Sequence, residues 1–154
     1  MGRRGSSIVK PKYECLHFVG GNGHGSTNTR IRRYSSVQTD RRFGSLVYSD
    51  SASDGLSVTI KRAGVYLFGI GGMGELDAHV VGISINSSEL TTDFQNINKG
   101  NALIYGRRGQ VNFISNSQGA RYLEVGDVLR PHDDNRDDAT NSNAYFWIAK
   151  MEIW

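Results

Sequence analysis

The sequence predicts an all-β fold, a jelly-roll β-sandwich with very little helix, and three observations carry that prediction. Apolar and polar residues alternate with period two from Tyr13 onward, as they do in strands with one buried face. No stretch of ten or more residues keeps apolar positions at helical spacing without being cut by glycine or by β-branched alternation. Nineteen glycines stand against two prolines and punctuate the alternating runs as turns. A chain of 154 residues matches one domain with one core.

The first alternating run is Tyr13, Cys15 and His17 with their neighbours. Strands are then expected over 30–37, 45–48, 56–60, 64–70, 79–85, 102–105, 110–114, 121–125, 127–131 and 144–153. Turn-rich stretches separate them at 19–25, 49–55, 71–74, 86–88 and 133–143, most of hairpin length. In Glu124-Val125-Gly126-Asp127 the glycine supplies a positive φ and the aspartate caps the backbone. Tyr145-Phe146-Trp147-Ile148 is apolar on both parities, which suits a central strand of the core. About ten short strands at 8–12 residue spacing suit a sandwich or jelly roll. Cys15, the single cysteine, excludes an internal disulfide and is expected as a small buried hydrophobe.

Charge divides the chain. Residues 1–42 hold nine Lys/Arg against two Asp/Glu, and residues 43–154 hold nine against thirteen. A basic arm over 1–42 is therefore expected to precede a body over 43–154, and to lie along the body or a neighbouring subunit through Ile31, Tyr34 and Val37. Arg30, Arg32, Arg33, Tyr34, Arg41 and Arg42 are the candidate anchoring set. A stacking platform for nucleic acid needs interleaved aromatics, and Tyr34 alone accompanies Arg30, Arg32 and Arg33, so an acidic protein surface is the expected partner. Membrane partners are not expected, since no apolar run reaches about 18 residues. The start lacks the apolar stretch of a secretory leader, and synthesis without one is expected.

Several motifs lose to simpler readings. Gly69-Ile70-Gly71-Gly72-Met73-Gly74 satisfies the dinucleotide pattern, but strand alternation follows it where a helix N-terminus would have to face a pyrophosphate. Gly20–Gly25 lacks the Lys-Ser/Thr pair of a phosphate loop. The acidic run after His132 departs from calcium-loop spacing and reads as solvated loop, with Asp133, Asp134, Asp137 and Asp138 the weak metal candidates. Neither zinc spacing nor a nucleophile elbow occurs. No catalysis and no cofactor are expected.

Four segments of the body, Ala63–Phe68, Val81–Asn86, Tyr122–Leu129 and Ala144–Ala149, resemble in order and spacing the tumour-necrosis-factor and complement globular-head jelly roll. The likeness covers about residues 45–154. It implies a homotrimer with aromatic residues packed about the three-fold axis, and Tyr66, Phe68, Tyr145, Phe146 and Trp147 are the candidate trimer and core residues. The last strand departs from the complement branch in lacking Phe-x-Gly-Phe, and no collagen-like stalk precedes the body. A second likeness lies in 23–34 and 48–52, which resemble a segment of phage and phage-derived virion proteins. Together these imply a non-enzymatic virion protein, a trimeric capsid decoration (cement) protein bridging major capsid protein subunits. The alternative they imply is a head- or tail-fibre module that binds a host-surface glycan or protein through loops 71–77 and 133–143.

Overall fold

A computed structural model describes residues 13–27, 29–73, 80–107, 114–134 and 143–152. Ten strands form two five-stranded antiparallel sheets: β1 Glu14–His24, β2 Arg32–Arg41, β3 Leu46–Ser51, β4 Gly55–Ile60, β5 Gly64–Met73, β6 Val80–Ile85, β7 Ala102–Arg107, β8 Ile114–Leu123, β9 Val128–Asp133 and β10 Tyr145–Lys150. The first sheet runs β2-β1-β10-β5-β8 and the second β3-β4-β9-β6-β7. Only β1–β2, β3–β4 and β6–β7 are sequential neighbours within a sheet; every other connection crosses between layers, which is the jelly-roll topology.

Alternation builds the core. Leu16 and Phe18 of β1, Tyr66, Phe68 and Ile70 of β5, and Phe146 and Ile148 of β10 point inward from the first sheet. Leu56, Val58 and Ile60 of β4, Val81 and Ile83 of β6, and Leu129 of β9 meet them from the second. Phe146 stacks on Phe18 with ring centres 5.9 Å apart, and Tyr48 meets Phe18 edge-on at 5.1 Å. Strand β6 is buried on both faces, because the 86–101 connection folds back over it. The Phe94 ring lies against Gly82, where a Cβ would fall 2.3 Å from it.

The expected division at residue 42 is corrected by β1 and β2. Strand β1 lies between β2 and β10 and pairs with β10 from Glu14↔Lys150 to Val19↔Tyr145. Residues 14–24 and 32–41 therefore belong to the sandwich, and their polarity is that of strands with one solvated face. Ile31 and Tyr34 are buried, as expected of anchors, but within their own domain. The 19–25 stretch is strand through His24, with Gly20 at φ +73° and Gly23 at φ +80°, the latter in the Gly21–His24 stretch where the pairing with β2 is irregular. The break expected between strands at 110–114 and 121–125 is absent from 115 to 120: β8 runs unbroken over Ile114–Leu123 and pairs continuously with β5. Residues 108–113 lie outside the described residues. Strand β5 runs on to Met73, so the glycines of the dinucleotide-like motif up to Gly72 are strand residues. Cys15 is half-buried on the outer face and not in the core. The turn at 124–127 has the form read from sequence: Gly126 sits at φ +95°, and the Asp127 carboxylate accepts the Glu124 N–H at 2.8 Å.

Phe146→Ala removes a buried ring at the centre of the layers, and a loss of about 3–5 kcal/mol is expected in chemical denaturation, with the slope of the transition unchanged.

Candidate functional site

The outer face of the first sheet is built by the parity that points away from the core. Register places His17, Trp147, Gly69 and Gln118 in one row, Cys15, Ala149, Leu67 and Ala120 in the next, and Val19, Tyr145, Gly71 and Asn116 in a third. Val65 faces Tyr122 at the strand ends, and Tyr122 is 58% exposed. From β1 to β8 these rows hold no Lys, Arg, Asp or Glu, and on the edge strand β2 the second row continues to Arg41. Two glycines shape the surface: a Cβ on Gly69 would fall 2.5 Å from the Trp147 indole nitrogen, and one on Gly71 2.5 Å from the Tyr145 ring. The rings therefore lie down on the sheet and leave a low apolar face, the kind of patch that marks an interaction surface. The outer face of the second sheet instead carries Ser57, Thr59 and Arg130 and the 86–101 connection.

The aromatic candidates divide by parity. Tyr66, Phe68 and Phe146 are core residues, whereas Tyr145 and Trp147 are half-buried on the outer face. The Tyr66 hydroxyl donates to the Arg62 carbonyl at 2.7 Å, and burial pushes its ionisation up to about 12.

The basic set divides by position. Arg30 pairs with Asp93 at 2.8 Å, Arg33 with Asp50 at 3.0 Å, and the fully buried Arg32 with the fully buried Asp133. These three cations are neutralised internally at one end of the sandwich and Tyr34 is buried among the core rings, which corrects the expectation that they reach outward. Arg41 and Arg42 lie at the other end. The Arg41 guanidinium stands over the half-exposed rings of Tyr13, at 4.2 Å, and Phe43, at 5.5 Å. Arg42 forms a two-pronged pair with Asp40 at 2.6 and 2.7 Å. Lys150 and Arg62 are neighbours there, near Gly64 and Gly44 respectively.

Sequence reasoning missed Glu14, which fixes this end. It is buried and accepts the backbone N–H groups of Phe43 (2.8 Å) and Ser45 (2.9 Å) and the Ser45 hydroxyl (2.5 Å). Burial raises its pKa, but these donors and nearby Lys150 outweigh burial and hold it below the ordinary carboxylate value. The signal was its inward parity with Leu16 and Phe18.

Of the weak metal candidates, Asp133 is held by Arg32, and Asp134 accepts the Phe94 N–H at 2.9 Å. Asp137 and Asp138 lie outside the described residues. Among the described residues no group of three or more His, Cys, Asp or Glu side chains stands together as a metal site. No described helix is long and apolar enough to cross a membrane. His132 is buried, with Nε2 2.7 Å from the Ser84 hydroxyl. Burial, with smaller contributions from Arg130 and His24, lowers its pKa to about 3. Burial raises Asp134 to about 6, aided by Asp93 and opposed by the Phe94 N–H and Arg30.

No protein-family model matches the sequence, and neither does any curated protein. Solved structures do. Murine APRIL superposes with TM-score 0.64 at 16% identity over 91% of this chain and 100% of that one. GITRL from bushbaby gives 0.56 at 16% over 91% and 95%, and Eiger TNF from S. frugiperda gives 0.57 at 13% over 94% and 96%. The chain has the tumour-necrosis-factor-like jelly-roll fold.

The two shifted groups oppose each other in acid. His132 binds its proton far more readily unfolded, so the stability it confers is present above its ordinary 6.5 and lost as pH falls toward 3, by up to about 1.4 kcal/mol per pH unit. Asp134 is protonated more readily folded, so its contribution is present below 3.8 and lost as pH rises through 6, more gently because solvent reaches it. Denaturation at several pH values from 4 to 6 should show a shallow rise for the native chain, a steeper one for Asp134→Asn, and a fall for His132→Gln.

Proposed function

We propose that the chain is a homotrimeric structural protein of a virus particle, carried on the capsid surface as a decoration protein that bridges major capsid protein subunits. The observation that carries the self-association is the outer face of the first sheet: Leu67, Ala120, Ala149, Trp147 and Tyr145 set in rows that carry no charge from β1 to β8. A stable interface covers about 800 Å² of each partner, and water contact with such a face is relieved by a second copy of the same face or edge. The tumour-necrosis-factor-like fold supports three-fold closure, in which each copy meets two others.

The capsid setting rests on the likeness of residues 23–34 and 48–52 to virion proteins and on where free positive charge stands. Arg41, Arg62 and Lys150 stand at the end that holds Tyr13 and Phe43, and residues 1–12, which precede Tyr13 in sequence, add four further cations and no carboxylate. A trimer gathers three such ends, and several weak contacts held on one rigid body give the avidity that clamping a shell requires. Synthesis in the host cytoplasm and a shell partner with acidic surface follow from that reading.

Native mass measurement at micromolar concentration should find three chains per particle, and Leu67→Asp should yield single chains with unchanged far-ultraviolet dichroism. Density for the trimer on the shell in electron micrographs of purified particles supports decoration. Density at a fibre tip, or its absence from the particle, overturns decoration while leaving the trimer standing.

A further inference from the structure

The outer side of the second sheet holds a cleft of about 460 Å³ between β7 and the 86–101 connection. Its volume is that of a small-molecule site. Val80, Phe94 and Ile97 form its floor, a buried apolar cluster separate from the main core. Lys99, Tyr105 and Arg107 stand at its mouth, all exposed, with Tyr105 at 65%.

The walls are set before any ligand arrives. The Phe94 ring rests on Gly82 and meets the His132 ring edge-on at 5.1 Å, and its N–H is held by Asp134. The following turns are tied by Glu89 accepting the Asn98 N–H at 2.7 Å, Asn98 accepting the Gly100 N–H at 2.9 Å, and the Asn101 amide donating to the Ile85 carbonyl at 2.8 Å. A cleft so braced loses little conformational freedom on binding.

Charge selects the occupant. The described lining contains two cations and no carboxylate, and neither Lys99 nor Arg107 takes part in an ion pair among the described residues. We propose that this cleft binds a small amphipathic anion, a monocarboxylate with an alkyl or aryl body. The body displaces water from Val80, Phe94 and Ile97, and the carboxylate meets Lys99 and Arg107 at the mouth. A cationic amphiphile is repelled there, and an oligosaccharide finds an apolar floor where it needs paired donors and acceptors. The site lies on the sheet that the proposed trimer leaves free, so it stands or falls independently of self-association.

The full chain titrated with decanoate, and separately with decyltrimethylammonium, and followed by amide shifts in nuclear magnetic resonance, tests the assignment. Decanoate should bind with a dissociation constant of about 0.1–1 mM, with shifts centred on Gly82, Phe94, Ile97 and Tyr105. The Lys99→Glu, Arg107→Glu double variant, altered only at exposed positions, should weaken binding about tenfold or more. Equal binding of the cationic amphiphile, unchanged affinity in the double variant, shifts on the outer face of the first sheet instead, or no decanoate binding up to several millimolar would each overturn it.

Discussion

Strand β10 stands at the centre of its sheet with side chains on both faces that water disfavours. Phe146 and Ile148 enter the core, while Tyr145 and Trp147 lie outward over Gly71 and Gly69. Burial of the inward set drives the two layers together, and because a strand's parities are rigidly coupled, the same event presents the outward set as a continuous face. The neighbours β1 and β5 repeat the pattern with Cys15, Val19, Val65 and Leu67. A fold whose stability depends on one parity thus acquires its low outer apolar face from the other.

The second sheet meets the same difficulty within the chain. Its strand β6, set between β9 and β7, is buried on both faces, and the 86–101 connection covers it by setting Phe94 on Gly82. That cover is incomplete toward β7, and the remaining gap is the cleft with Lys99 and Arg107 at its mouth. Both surfaces arise from strands with more apolar area than a two-layered sandwich can enclose.

Charge is sorted along the long axis. At one end Arg30, Arg32 and Arg33 meet Asp93, Asp133 and Asp50. The Arg32–Asp133 pair is fully buried and ties β2 of one sheet to β9 of the other, and burial of both charges offsets much of what their attraction adds to stability. At the other end Glu14 is enclosed by Phe43 and Ser45, which leaves Arg41 and Arg42 among aromatic rings and near Lys150. In a chain with a net charge of +3, Arg41, Arg62 and Lys150 thus stand together at the end that holds Tyr13.

Much of this was legible in the residues. Alternation marked nearly every strand, the turn at Gly126 and Asp127 was readable because its geometry needs those two residue types, and the apolar run at 145–148 announced a central strand. Locally, side-chain period and turn chemistry are sufficient for such readings, since both depend on neighbours in sequence. Partnership across the fold is not local. That Arg32 is sealed against Asp133 while Arg41 stays outside, that Tyr66 is core while Trp147 is surface, that residues 14–24 and 32–41 are sandwich and not arm, and that Phe94 closes over Gly82 were decided only when the layers closed, because strand register and sheet order set which distant side chains share a space.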